Sequence, residues 1–398
     1  MSYTTESQAA GRHILPDLVR AFAVLGIVLV NVAYFAWPGE VTYSDGGLET
    51  SMDQAADFGV NALFLFKSYS LFSLMFGVGL AYQMKSAERR GLPFGRRYSR
   101  RLFGLLILGI LHVTFAFVGD ILIIYAIVGA LIYLFRNKPT KSLIKWSVSL
   151  IIIQILIIML GTIALYLGEV YDPEGLAEMD AEARASLPLY YEIYGSGTLG
   201  EVIGLRWREW TEYLFYAGPI QMPGVLAFFM LGLALVKSDV IANPEASLWS
   251  KARRHAFPIG LTLSLIAAGL LATTDNQLSS KGLFAMMLIV IGSPFATFGY
   301  LGWLAKWAAG PDTAFRTFIA RGGTATLTAY LLQSIILSLV FTGYGLGFYG
   351  DIGAAGCIGI ALATGIFTLI FASLWRTKFV RGPFEYLLRR FTYWGDNR

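Results

Sequence analysis

Charge is scarce in this chain: acidic and basic side chains together are 14% of its 398 residues, and histidine occurs three times. So little charge cannot clothe a water-facing surface of this size, which argues against a soluble globular protein. Cysteine is scarcer still. The single Cys357 excludes a disulfide framework, a thiolate metal site and a redox pair, and is expected to be a small apolar packing residue. Also missing are a glycine-rich phosphate loop, a GxSxG elbow, a paired-histidine metal motif and any solenoid-type repeat, so neither soluble-enzyme chemistry nor a metal site is signalled. No small-x-small cleavage site follows the first apolar run, which is preceded by only Arg12 and Arg20; that run is expected to be retained.

What is abundant is apolar. Hydrophobic residues make up 56% of the chain, and its mean hydropathy is +0.60. Ten stretches approach the roughly 20 apolar residues that cross a bilayer: 17–37, 57–83, 102–118, 121–136, 144–168, 218–236, 256–273, 283–304, 324–343 and 353–376. The fold class is therefore all-α, a polytopic integral membrane protein with about ten transmembrane helices in a single domain, 1–398. Lysine and arginine set its orientation, because cationic loops resist translocation. The loop after the second span carries Lys85, Arg89, Arg90, Arg96, Arg97, Arg100 and Arg101, whereas the loop after the first holds Glu40, Asp45, Glu49 and Asp53 with no cation. The first of these loops is cytoplasmic. The alternation persists to the basic run from Arg376 to Arg390, so both termini are expected inside. A pI near 9.1 and a net charge of +5 reflect this inner collar, which suits anionic headgroups or a phosphate-bearing cytosolic ligand better than nucleic acid.

One long insertion, 169–217, is expected outside. Its second half reads as an amphipathic helix at the interface, with Trp207, Trp210, Tyr213 and Phe215 as aromatic anchors. Cations are disfavoured on that side, so either Arg206 or Arg208 is expected to bind an anionic group or to pair with an acidic neighbour.

Polar side chains inside spans are costly and mark functional candidates. Lys67 would sit ~15 Å and His112 ~10 Å below the outer surface at helical rise. Asn31 and Gln333 fall in the same layer, with Asp120 at its rim, so Lys67, His112, Asn31 and Gln333 are expected to line one outward-opening cavity. A neutral His112 could act as general base, with Asp120 fixing its tautomer. Lys67 is too deep to snorkel and is expected against a carboxylate or a ligand, where it would stabilise an oxyanion or hold an anionic substrate. Packing glue is the alternative for the histidine.

These residues carry a resemblance. DLVRAFAVLGIVLVNV, FKSYSLFSLMFGVG, RRLFGLLILGILHVTFAFVGDILIIYAIVG, LTAYLLQSII and RGPFEYLLRRFTY resemble, in order, the motifs of the YeiB-like family, which contains the domain of unknown function 418. By that likeness Asp17, Arg20, Asn31, Lys67, His112, Asp120, Gln333, Gly382, Pro383, Glu385 and Arg389 occupy motif positions. Two departures are local: Ala21 replaces the usual glycine, and Gly323-Thr324 stands where the family has Gly-Arg. The opening motif is similar to that of membrane acyltransferases of the polysaccharide O-acylating and heparan-α-glucosaminide N-acetyltransferase types. Their histidines are not matched here, since Asn31 holds the position of one and the outer loop has none of the other, and His112 is the replacement on physical grounds.

The resemblance implies transfer of an acyl group from cytosolic acyl-coenzyme A to an extracytoplasmic or lipid-linked acceptor, in a bacterial inner (cytoplasmic) membrane. His112, Asp120 and Lys67 would be catalytic. Asn31, Gln333, Arg206, Asp17 and Arg20 would bind substrate, and Arg97, Arg100, Arg101 and Arg389, with Arg96, would hold the coenzyme A phosphates. The alternative is a transporter, or a lipid- or anion-handling protein, built on the same Lys67, His112 and Asp120. Expected partners are membrane lipids and a small-molecule or glycan acceptor, with no nucleic acid and no metal; assembly into a homo-oligomer is left open.

Overall fold

The computed structural model describes residues 13–394 apart from 40, 92, 275, 277 and 278. Arg12, Glu40 and the two chain ends lie outside the described residues. Among these there is no strand, and nine helical segments are long and apolar enough to cross a membrane. The protein is an all-α polytopic membrane protein. In chain order the helices are α1 (Ile14–Ala36), α2 (Ser51–Leu63), α3 (Lys67–Glu88), α4 (Phe94–Phe115), α5 (Leu122–Phe135), α6 (Thr140–Tyr171), α7 (Pro173–Ala185), α8 (Leu187–Ser196) and α9 (Leu199–Tyr216). Then follow α10 (Gly218–Lys237), α11 (Ser247–Leu271, with a π-turn inside it), α12 (Ser280–Ala309), α13 (Ala314–Gly322), α14 (Thr326–Phe341), α15 (Ala354–Lys378) and α16 (Pro383–Thr392). The fourth expected span is the short one: α5 has 14 residues, a rise of ~21 Å.

Hydropathy and burial separate here as lipid demands. α6 is the most apolar of the long helices and yet mostly exposed, whereas most of α10 is buried. The greasiest helix faces hydrocarbon, and α10 fills the protein interior against α3 and α6. α3 and α10 meet through reciprocal glycines: a Cβ on Gly77 would fall on the Phe229 carbonyl, and one on Gly232 on the Leu74 carbonyl. Small residues give membrane helices this close backbone approach. α1 runs through the bundle, touching α3, α12, α13, α14 and α15.

The expected uninterrupted span 57–83 is broken between α2 and α3. Neither proline nor glycine marks the break, and Phe66 takes the left-handed region at φ 63°, a costly conformation for a bulky side chain. In hydrocarbon every carbonyl freed by such a break needs a donor. The Tyr300 hydroxyl serves Leu63 at 2.7 Å, and the Lys67 ammonium serves Asn61 at 3.2 Å. Lys67 is buried as expected, and its hydrogen-bond partner is the Asn61 backbone carbonyl near the end of α2 and not a carboxylate.

The expected insertion 169–217 begins in the last residues of α6 and then forms α7, α8 and α9, joined by one- or two-residue links. A capping box starts α9, with Thr198 and Glu201 each satisfying the other's backbone N–H. The loop charges predict that a reporter fused after Arg398 is cytoplasmic and that tags near Gly47 and Ala177 are labelled by a membrane-impermeant reagent from outside. Labelling of either tag only from the cytosolic face would overturn this topology.

Candidate functional site

The chain leaves α4 through a short outer turn and enters α5 within six residues. His112 lies in the last turn of α4, and Asp120 sits just before α5. Asp120 Oδ1 accepts the Ile123 N–H at 2.8 Å, capping the positive end of α5. Its other oxygen, Oδ2, meets His112 Nδ1 at 2.8 Å, with both side chains essentially buried. A carboxylate on Nδ1 makes that nitrogen the donor and leaves Nε2 with the lone pair. His112 Nε2 is buried and has no hydrogen-bond partner among the described residues. The Tyr330 ring packs 5.0 Å from the imidazole, and the Phe117 ring lies 6.1 Å away. Glycine at 109 lets the two helices close: a Cβ there would stand 2.6 Å from Ile123 Cγ1 and 2.8 Å from Asp120 Oδ1.

Beneath this pair lies a cavity of about 490 Å³, within the range of small-molecule sites. Arg20, Arg101, Arg376, Arg381 and Arg389 line one part of it, together with Thr324, Tyr82, Tyr98 and Glu385; Phe72, Met75, Phe76, Leu105, Leu122 and Tyr125 line the other. The cations come from the helix ends that the loop charges assign to the inside. Along α3 the lining runs from Gln83 to Phe72, a rise of ~16 Å. The cavity is thus amphipathic, with a cationic cytoplasmic mouth and an apolar deep end. Phe72 at that end lies 6.2 Å, ring to ring, from Tyr330, which in turn packs on His112.

Glu385 builds the mouth. Its Oε1 accepts the Leu327 and Thr328 N–H groups at 2.7 and 3.1 Å, and Oε2 accepts the Thr328 hydroxyl at 2.5 Å. The carboxylate of α16 therefore caps α14. Gly382 begins α16 where a Cβ would meet Thr328 Oγ1 at 2.6 Å, which accounts for glycine there.

Other expected site residues scatter. Asp17 is buried and pairs with Arg20 at 3.0 Å. Arg101 and Arg389 line the cavity, but Arg97 and Arg100 do not; Arg97 lies over the Tyr393 ring, as Arg389 does. Gln333 donates to Thr368 Oγ1 at 3.1 Å, linking α14 to α15. Asn31 is half-buried on α1. None of Lys67, His112, Asn31 and Gln333 lines the inner cavity, and Lys67, His112 and Gln333 each bond a different neighbour. Matched depth does not fix helix rotation. Of the outer arginines, Arg208 pairs with Glu212 at 3.1 Å. Arg206, 2% exposed, donates from Nη2 to Ser338 Oγ at 2.7 Å and the Tyr344 hydroxyl at 3.0 Å, tying α9 to the end of α14. Burial pushes the Tyr344 hydroxyl up, but the Arg206 guanidinium and local hydrogen bonds outweigh it and hold its pKa below the ordinary value.

Sequence reasoning missed Arg376, Arg381, Phe72 and Tyr125. The two arginines were visible only as part of the inner basic run, and the two aromatics look like any others in a span.

A family model described as "Protein of unknown function (DUF418)" matches residues 235–395. The chain is 31% identical to "Uncharacterized protein YxaH" of Bacillus subtilis (strain 168) over 394 residues, covering 95% of this chain and 93% of that one. It is 28% identical to "Uncharacterized protein YeiB" of Escherichia coli (strain K12) over 399 residues, covering 96% of each. No solved structure matches the chain.

Proposed function

The chain belongs to the DUF418 family, and on that premise we propose that it is an acyltransferase of the bacterial inner membrane, taking an acyl group from cytosolic acyl-coenzyme A to an extracytoplasmic or lipid-linked acceptor. The inner cavity carries this proposal. Its five arginines suit phosphates, which guanidinium forks hold with charge-assisted hydrogen bonds. About a dozen bonds separate the phosphates of coenzyme A from its sulfur, an extended reach of ~14 Å. The cavity's depth along α3, from Gln83 to Phe72, is ~16 Å, so an arm anchored at the mouth ends beside Phe72 and Tyr125.

The bound donor supplies an activated acyl carbonyl. The chain's own residues supply the proton chemistry. His112 does not line the cavity, so transfer requires the Phe72–Tyr330 wall beside the imidazole to open. His112 Nε2 then takes the proton of the acceptor hydroxyl or amine as it attacks the acyl carbonyl; the carbon–sulfur bond breaks, and the imidazolium, stabilised by Asp120 on Nδ1, gives the proton to the departing coenzyme A thiolate. Lys67 is committed to the Asn61 carbonyl and has no step here.

Incubating the purified protein with labelled acyl-coenzyme A species and scoring free coenzyme A tests the proposal directly. Arg101→Gln and Arg389→Gln should each weaken coenzyme A binding by about tenfold, the loss of one charge-assisted hydrogen bond. Unchanged affinity in the double variant would remove the cavity from the donor site. Movement of an anionic amphiphile across the membrane is the second reading, favoured by the interrupted α2–α3 span, since broken helices line transporter sites. Uptake into proteoliposomes without coenzyme A release would select it.

A further inference from the structure

We infer that Phe72 selects the acyl chain and restricts the donor to short acyl groups, an inference that rests on the acyl-transfer proposal above. Aromatic rings held in different ways line the deep end of the cavity. Tyr125 is pinned by its hydroxyl to Ser73 Oγ at 2.7 Å, and Phe76 stacks on Phe229 at 4.3 Å. Phe72 has no such anchor. Its ring is tilted against Tyr125 at 6.0 Å and Tyr330 at 6.2 Å, and it is half-buried where its helix neighbours Leu71 and Leu74 are fully buried.

Behind Phe72 stands Tyr330, on which the His112 imidazole packs at 5.0 Å. Tyr330 is 1% exposed, and a dense interior does not admit extra methylenes without strain. With ~14 Å of arm in ~16 Å of cavity, about 2 Å remains, so an acetyl group fits before it meets the Phe72 ring and longer chains do not. The apolar lining is therefore a short pocket for the acyl group and not a channel for a lipid tail. Phe72→Ala removes the ring that ends it.

Competition binding in lipid nanodiscs reads this without turnover. Labelled coenzyme A is displaced by free coenzyme A and by its acetyl, butyryl, octanoyl and palmitoyl thioesters, in wild type, Phe72→Ala and the milder Phe72→Leu, with lysophosphatidic acid as a phosphate-bearing amphiphile lacking coenzyme A. Wild type should bind the acetyl thioester at least as tightly as free coenzyme A and the octanoyl thioester about 10-fold more weakly, with the butyryl thioester between them, the cost of forcing methylenes into a packed wall. Phe72→Ala should bring octanoyl close to acetyl, with Phe72→Leu between. Chain-length indifference in wild type, or an unchanged preference in both variants while coenzyme A still binds, overturns the role of Phe72 alone. Failure of wild type to bind any coenzyme A species overturns the acyl-transfer proposal with it, as does displacement by lysophosphatidic acid alone.

Discussion

His112→Gln is expected to lower acyl transfer by ~10²–10⁴-fold, the range for removing a general base, while leaving coenzyme A binding in the inner cavity unchanged. The two effects separate because His112 does not line the cavity. Asp120→Asn should cut activity for a different reason. The amide keeps an oxygen for the Ile123 N–H and so preserves the cap of α5, but it turns a donor toward Nδ1. That reverses the tautomer and puts the proton on Nε2, which then cannot accept one. Single-turnover transfer, coenzyme A affinity and thermal melting of the same preparations decide the matter. Full turnover in His112→Gln would refute the general-base role, and a parallel loss of folded protein would make the imidazole a packing element.

The second large effect is on folding. Gly232→Val should leave little folded protein, because its Cβ would occupy the Leu74 carbonyl and α10 is too enclosed to retreat. Overpacking costs ~1–3 kcal/mol where neighbours can adjust, and more where backbone itself must move. Gly77→Val attacks the same crossing from α3. Gly269→Ala is the control: nothing stands within 4 Å of its Cβ, so it should melt like wild type or slightly higher. A Gly232→Val protein that melts with wild type would show that α3 and α10 do not cross as described.

The spans were legible because lipid imposes a length and a composition that sequence displays directly, and nine of the ten expected segments reappear as long helical stretches. The break at Phe64–Phe66 was not. It is held by Tyr300 from a helix far along the chain, and no local breaker marks it. The His112–Asp120 pair was accessible because the two residues flank one turn. Lys67 was assigned to the same site by depth alone, and depth says nothing of the direction a helix turns its side chain. For the same reason the inner cavity could not be seen: Phe72, Phe76 and Leu105 become its wall only when α3, α4 and α16 are rotated and packed together.

The carboxylate of Glu385 ties two mechanical parts into one. It belongs to α16, which borders the cytoplasmic mouth, and it holds the first turn of α14 through three hydrogen bonds. α14 is the rod that carries Tyr330 against the imidazole and Gln333 against α15. A swing of α16 that widened the mouth would have to break those bonds or carry the first turn of α14 with it.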